Sequence, residues 1–270
     1  MTISRQGAPF TLLIVVPTLN SFKYLSRLTL SLQSQTFQDW RLLFVDGPSN
    51  SDHRLWLEQF CSSEKRASWI DQLPSNHGIF GAMNQGFAAA RPSDWMLFWG
   101  SDDWASSADV FTEVFSRLEL ASHTGVFPDL LVCRGLYVDQ KTASPTRISA
   151  FQSPGLLRAS AYRRALLFGS TPPHQATFFG PGARERLDSY ANGFRLSADL
   201  DYFLQLSQQN GLCVQCLNVD LVHMLSGGVS AVQTKLRLLE VYRAYRRAFG
   251  LAWWFPFLMR YVRRVFSLLP

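Results

Sequence analysis

Charge is scarce in this chain of 270 residues: Asp, Glu, Lys and Arg make up 17%, against 47% hydrophobic residues. That balance excludes a disordered polyelectrolyte and implies a sizeable core. Cysteine is scarcer, with Cys61, Cys133, Cys213 and Cys216. So few exclude a disulfide scaffold and suggest a reducing compartment. "CVQC" (213–216) has no second such pair, and on a strand its spacing puts the two sulfurs on opposite faces, so no zinc is expected. Long apolar runs are missing too. "TLLIVVP" (11–17) is far too short to cross a bilayer. "MTISRQGAPF" lacks an apolar stretch and cleavage site, so no signal peptide is expected. Acid is what the C-terminal part lacks. From Gln233 onward, Lys235, Arg237, Arg243, Arg246, Arg247, Arg260, Arg263 and Arg264 face only Glu240. The net charge of +6 therefore belongs largely to this tail and says little about what precedes it.

What is present is an alternation. The run 11–17, closed by proline, reads as a buried parallel strand. Asn20 and Ser21 offer a cap for a helix through about Leu32. "WRLLFVD" (40–46) is a second strand, broken by the turn cluster "GPSNSD" before another helix. "ASWIDQL" is a third, shorter strand, "GIFGAMNQGFAAA" (78–90) a loop and helix, and "WMLFW" a fourth strand. "SSADVFTEVFSRLEL" is amphipathic, and "DLLVCRGLYVD" (129–139) is strand again. The polar stretch 141–155 reads as a surface excursion, and "LCVQCLNVDLVHM" as a late strand. Strands alternating with helices predict an α/β fold with a mainly parallel central sheet flanked by helices.

Three strand ends carry polar groups: Thr18 and Asn20 after Pro17, Asp46 before Gly47, and Ser101, Asp102 and Asp103 after the fourth strand. In a parallel sheet these ends share one edge, where ligands of such sheets sit. Asp46 suits an imide N–H or a ribose hydroxyl, or else an Asx-turn in "DGPSN". Asp102 and Asp103 either cap the next helix or hold a hard divalent cation, Mn²⁺ or Mg²⁺, against a diphosphate. Gly78 and Gly81 permit close approach to a ligand, and Asn84 is an amide inside a predicted helix.

Taken together, "VVPTLN", "FVDGPSNSD", "GIFGAMNQG", "WMLFWGSDDW", "PPHQATFF", "SADLDYFLQL" and "GGVS" resemble the inverting family-two glycosyltransferases of GT-A fold, in the branch that builds bacterial surface polysaccharides. The likeness runs from about Leu12 to Ser230. It implies a UDP- or GDP-sugar donor and a glycan or polyprenyl-diphosphate-linked acceptor. By the same likeness, Pro17, Thr18, Asn20, Asp46, Gly78, Asn84, Ser101 and Asp102 contact the donor. Asp102 and Asp103 take the metal, with Asp103 as direct ligand. Asp199 in "SADLDYF" is the general base, and His174, Gln175, Gly227 and Gly228 lie near the donor sugar or acceptor. Gly81, Gln85 and Pro48 depart from the common pattern, which leaves the donor sugar open. Asp199 and Asp201 point roughly 200° apart on a helix, so at most one faces a cleft. Without the likeness, Asp199 reads as a first-turn acid behind a Ser197 cap. His223, just before the glycine pair, is a further metal-ligand candidate.

We expect residues 1–230 to form the transferase domain and 231–270 a basic, aromatic helical tail. Residues 251–270 mix tryptophan, phenylalanine and arginine, which suits a peripheral contact with an anionic membrane, or packing on the domain or in a homo-oligomer. Cytoplasmic placement at the inner membrane face follows from the likeness. Nucleic acid is not expected, because the predicted cleft is acidic. The rival readings are a non-catalytic scaffold of this fold and a sugar nucleotidyltransferase. The complete acidic set Asp46, Asp102, Asp103 and Asp199 argues against the first. The want of a Gly-rich basic loop after the first strand argues against the second.

Overall fold

The computed structural model describes residues 10–123, 125–140, 144–152, 154–225 and 233–266. Strand β1 (Thr11–Thr18) pairs in parallel with β2 (Trp40–Asp46) on one side and β4 (Asp94–Phe98) on the other, and β2 pairs with β3 (Ala67–Asp71). Helices α1 (Phe22–Gln33), α2 (Ser51–Ser63) and α3 (Gly78–Ala89) make the crossovers. This is the βαβ half read from the alternation.

The other half is mixed. The short strand β5 (Trp104–Ala105) precedes α4 (Val110–His123) and β6 (Leu130–Val138). The expected surface excursion contains β7 (Pro145–Ser149), antiparallel to β6, and β8 (Gly155–Arg158) then leads into α5 (Ala159–Leu167). Strand β9 (Thr177–Phe179) inserts antiparallel between β4 and β6. After α6 (Pro181–Arg186) and α7 (Ala198–Leu206), β10 (Cys213–Leu225) runs parallel to β6 and antiparallel to β5 and β8. The main sheet order is β3-β2-β1-β4-β9-β6-β10-β5.

Strand residues alternate between two cores, as a period of two requires. Leu13, Val15, Leu43, Val45, Met96 and Phe98 meet α3, α5 and α7 on one face. Leu12, Ile14, Val16, Leu42, Phe44 and Leu97 meet α1, α2 and α4 on the other. The basic tail begins with α8 (Thr234–Phe249), whose Val241, Ala244 and Tyr245 are buried in the first of these cores. Among the described residues of the tail, α8 thus packs one face into the domain, while residues 250–252 are exposed and α9 (Trp254–Phe266) lies at the periphery. All four cysteines are free thiols.

Three side chains expected as caps make other bonds or none. Neither Asn20 nor Ser21 caps α1, because both side chains tie strand ends together: Asn20 Oδ1 accepts from Asn50 N at 2.8 Å, and Ser21 Oγ donates to Ser101 Oγ at 2.8 Å. Ser197 makes no side-chain cap on α7. Glu240 of α8 instead holds the turn leading into α7: its carboxylate accepts from the backbone N–H groups of Arg195, Leu196 and Ser197 at 2.8, 2.8 and 2.9 Å.

Candidate active site

The carboxyl ends of β1, β2 and β4 meet at one edge, stitched by hydrogen bonds. Ser101 Oγ donates to Pro17 O at 3.1 Å, and Asn20 N donates to Ser49 Oγ at 2.9 Å. Asn20 reaches across with φ 51°, a left-handed conformation that Asn tolerates better than most residues.

Asp46 is 1% exposed at the centre of this stitching. Its Oδ1 accepts from Thr18 Oγ1 at 2.8 Å and Ser49 Oγ at 2.7 Å, with His53 Nε2 3.0 Å away. Its Oδ2 is buried without a hydrogen-bond partner, the nearest cation being Arg54 Nε at 3.6 Å. Such an oxygen is costly unless a ligand supplies a donor. Burial lowers the pKa of His53, with Asp46 pulling the other way. Ser49, His53 and Arg54 were not singled out from the sequence, although Ser49 and His53 stand only three and seven positions after Asp46.

At the end of β4 the chain turns back on itself: Gly100 N donates to Asp103 Oδ2 at 2.6 Å, and Asp103 N to Gly100 O at 3.2 Å. Asp103 is 3% exposed and Asp102 half-buried. Burial raises the carboxyl pKa of both, and the charge of Asp102 raises that of Asp103 further. Neither acid caps α4, which starts at Val110 with β5 between. A cavity of about 260 Å³ opens beside Asp102, lined by Lys23, Tyr24, Arg27, Trp104, Gln140 and Leu225. Arg27 lies over Trp104, 4.5 Å from its centroid, and His223 is 5.3 Å from the same ring. Burial lowers the His223 pKa.

These two carboxylates fit a Mn²⁺ or Mg²⁺ ion. They are hard oxygen donors, adjacent, largely desolvated, and mutually repulsive without a cation. Among the described residues no cluster of three or more His, Cys, Asp or Glu side chains is placed to hold a metal, so His223 does not join the pair. A site completed by substrate phosphate has this donor set.

A second group closes on β4 from the other half. His174 stacks on Phe98, ring centroids 5.7 Å apart, and its Nε2 lies 2.6 Å from Tyr190 Oη. Burial lowers its pKa, and the charge of Asp199 partly opposes that. Gln175 O accepts from Trp99 Nε1 at 3.0 Å, so the turn 174–176 is anchored beside the acids. Asp199 is half-buried in the first turn of α7. Asp201 is 2% exposed and held by Arg247 Nη1 at 2.5 Å.

The remaining candidates sit otherwise. Asn84 spends its amide inside the fold: Nδ2 donates to Tyr190 O at 3.0 Å and Oδ1 accepts from Tyr190 N at 2.7 Å. Gly81 makes its close approach to its own chain, where a Cβ would lie 2.2 Å from Asn76 O. Gly78, with φ +73°, has open space about its Cα. Gly227 and Gly228 lie outside the described residues. Tyr190, which links His174 to Asn84, carried no sequence signal.

The model of the family described as Glycosyl transferase family 2 matches residues 13–172. A PGL/p-HBAD biosynthesis glycosyltransferase of Mycobacterium bovis is 26% identical over 207 residues, covering 76% of this chain and 73% of its own, and one from Mycobacterium tuberculosis aligns equally. Among solved structures, S. aureus TarS 1-349 in complex with UDP-GlcNAc superposes with a TM-score of 0.68 at 16% identity, over 96% of this chain and 73% of that one. The mannosyltransferase PcManGT from Pyrobaculum calidifontis, in complex with GDP-Man and Mn²⁺, gives 0.58 at 11% identity, over 98% and 73%.

Proposed function

The chain belongs to glycosyl transferase family 2, and from that premise we propose that it moves a sugar, with inversion, from a UDP- or GDP-sugar to a hydroxyl of a glycan or polyprenyl-diphosphate-linked saccharide in surface-glycan assembly. The observation that carries this reading is the single edge on which Asp46, with its unpartnered Oδ2, lies with buried Asp103 and half-buried Asp102. A nucleoside and its diphosphate need those two features side by side.

In this reading Asp46 Oδ2 accepts from an imide N–H or ribose hydroxyl, while Thr18, Ser49 and His53 hold Oδ1 in place. Asp102 and Asp103 would hold Mn²⁺ or Mg²⁺, which would supply positive charge to the departing diphosphate. Asp199 takes the proton of the acceptor hydroxyl as its oxygen bonds to the anomeric carbon and the bond to the diphosphate oxygen breaks. Asp201 is engaged by Arg247, which leaves Asp199 as the acid open to an acceptor. His174 is kept neutral by burial and braces Tyr190 and Phe98 beneath the acceptor position. Gln175 sits at the same wall, and Gly227 and Gly228 keep their proposed place near the acceptor or diphosphate. Comparing Asp199→Asn with the parent protein tests the assignment: nucleotide binding is retained and transfer falls at least about a hundredfold, the usual scale for a lost general base. Undiminished transfer, or a product of retained anomeric configuration by NMR, refutes it.

A further inference from the structure

Helix α9 packs on the domain through Phe257, with Trp253 just before it, and leaves a second apolar stripe outside. A turn of 3.6 residues puts Trp254, Leu258 and Val262 along one side, and Pro256, Phe257 and Arg260 along another. The second side docks. Pro256 is buried, Arg260 Nη1 donates to Thr171 Oγ1 at 2.6 Å, and Phe257 sets its ring edge-on against Tyr245. The helix backbone rests directly on Gly169, where a Cβ would come within 2.5 Å of Arg260 Cα. The first side faces out: Trp254 is 57% and Leu258 54% exposed, and Leu251 just before the helix is 93% exposed. A surface helix of a globular domain normally keeps its outward side polar, and this one does not. Phe168 continues the patch, 43% exposed and edge-on to Phe255, with the Arg164 guanidinium 6.0 Å from its ring.

Charge chooses the occupant. The segment from Gln233 carries eight basic residues, and its single acid, Glu240, is buried against α7. Among the described residues of this segment Lys235, Arg243, Arg246, Arg247 and Arg263 are exposed and no acid is, so the segment offers a second copy only like charge. A bilayer with anionic headgroups complements both the cations and the apolar stripe. We infer that this face is a membrane-surface site. Helix α9 lies in the headgroup plane of an anionic bilayer, with Leu251, Trp254 and Leu258 entering the acyl boundary. The argument needs neither donor nor acceptor, so it stands or falls apart from the transferase reading.

Flotation of the full-length chain with vesicles, without nucleotide, tests it. Binding is expected to vesicles of phosphatidylcholine containing about 30 mol% phosphatidylglycerol but not to phosphatidylcholine alone. It should weaken as salt rises from about 0.05 to 0.5 M. Trp254→Ser and Leu258→Ser should each reduce partitioning about tenfold. Arg263→Glu, at an exposed position, should reduce it without touching the stripe, and thermal melts confirm that each variant is folded. Equal binding to both vesicle types, binding to neither, or undiminished binding by the variants overturns the inference. A concentration-dependent dimer that Leu258→Ser dissolves assigns the stripe to a second copy and overturns it as well.

Discussion

Glu240 holds the helix of the proposed base from 43 residues away, and replacing it gives a sharp test of how the tail serves the site. Its carboxylate accepts from three backbone N–H groups at 2.8, 2.8 and 2.9 Å, and the side chain is 4% exposed. Ser197, at the N-cap of α7, makes no side-chain cap of its own. Hydrogen bonds to a charged group contribute about 1.5–3 kcal/mol each, but three to one carboxylate do not add fully, and water entering the gap recovers part. Glu240→Ala should therefore cost about 3–4 kcal/mol. At about 2–4 °C per kcal/mol for a chain of this size, the melting temperature drops by about 6–16 °C. Glu240→Gln should fall between: its one carbonyl oxygen can serve Leu196 and Ser197, while its NH₂ faces the N–H of Arg195. Circular-dichroism melts give the ranking, and hydrogen exchange should show lost protection at residues 195–197 before other amides. An alanine variant that melts within about 1 °C of the parent would refute the reasoning.

Asp103→Asn should stabilise the metal-free protein at pH 7 by about 1–3 kcal/mol, because a desolvated charge beside Asp102 is removed. A carboxyl whose pKa is raised on folding costs stability once pH exceeds its unfolded value, so the gain should shrink as pH falls toward about 4, read from melts across pH. His174 works with the opposite sign. Burial keeps it neutral, so the unfolded chain takes up a proton first, and stability is lost as pH falls below about 6.5. His174→Gln should flatten that slope by about 1.4 kcal/mol per pH unit, read from urea titrations. Asn84→Ala breaks two hydrogen bonds to Tyr190 and should cost about 2 kcal/mol while leaving nucleotide affinity where it was, as calorimetry would report.

The parallel half of the fold was legible because its signals are local. Buried parallel strands are continuous apolar runs, and each here ends in a turn cluster or a polar pair, so the edge carrying Asp46, Asp102 and Asp103 could be drawn before any coordinates. The antiparallel insertion of β9 was not: "TFF" has no periodicity to read, and its place between β4 and β6 is fixed by partners far along the chain. Long-range use of polar side chains escaped for the same reason. Glu240 reaches residues 195–197, Asn84 reaches Tyr190, and Ser21 reaches Ser101, while local rules offered nearer roles for each position. The tail's amphipathic pattern was plain, but which face turns outward depends on Gly169 and Thr171, nearly ninety residues upstream.

The central claim is that the edge of β1, β2 and β4 binds a nucleoside diphosphate through Asp46 and a cation on Asp102 and Asp103. Calorimetric titration with UDP and with GDP, each with and without Mn²⁺, tests it most directly, with Asp103→Ala as control. The account predicts binding of one nucleotide that requires the metal and is lost in Asp103→Ala. Binding of neither nucleotide to folded protein, or binding indifferent to Mn²⁺ and to Asp103, would contradict it.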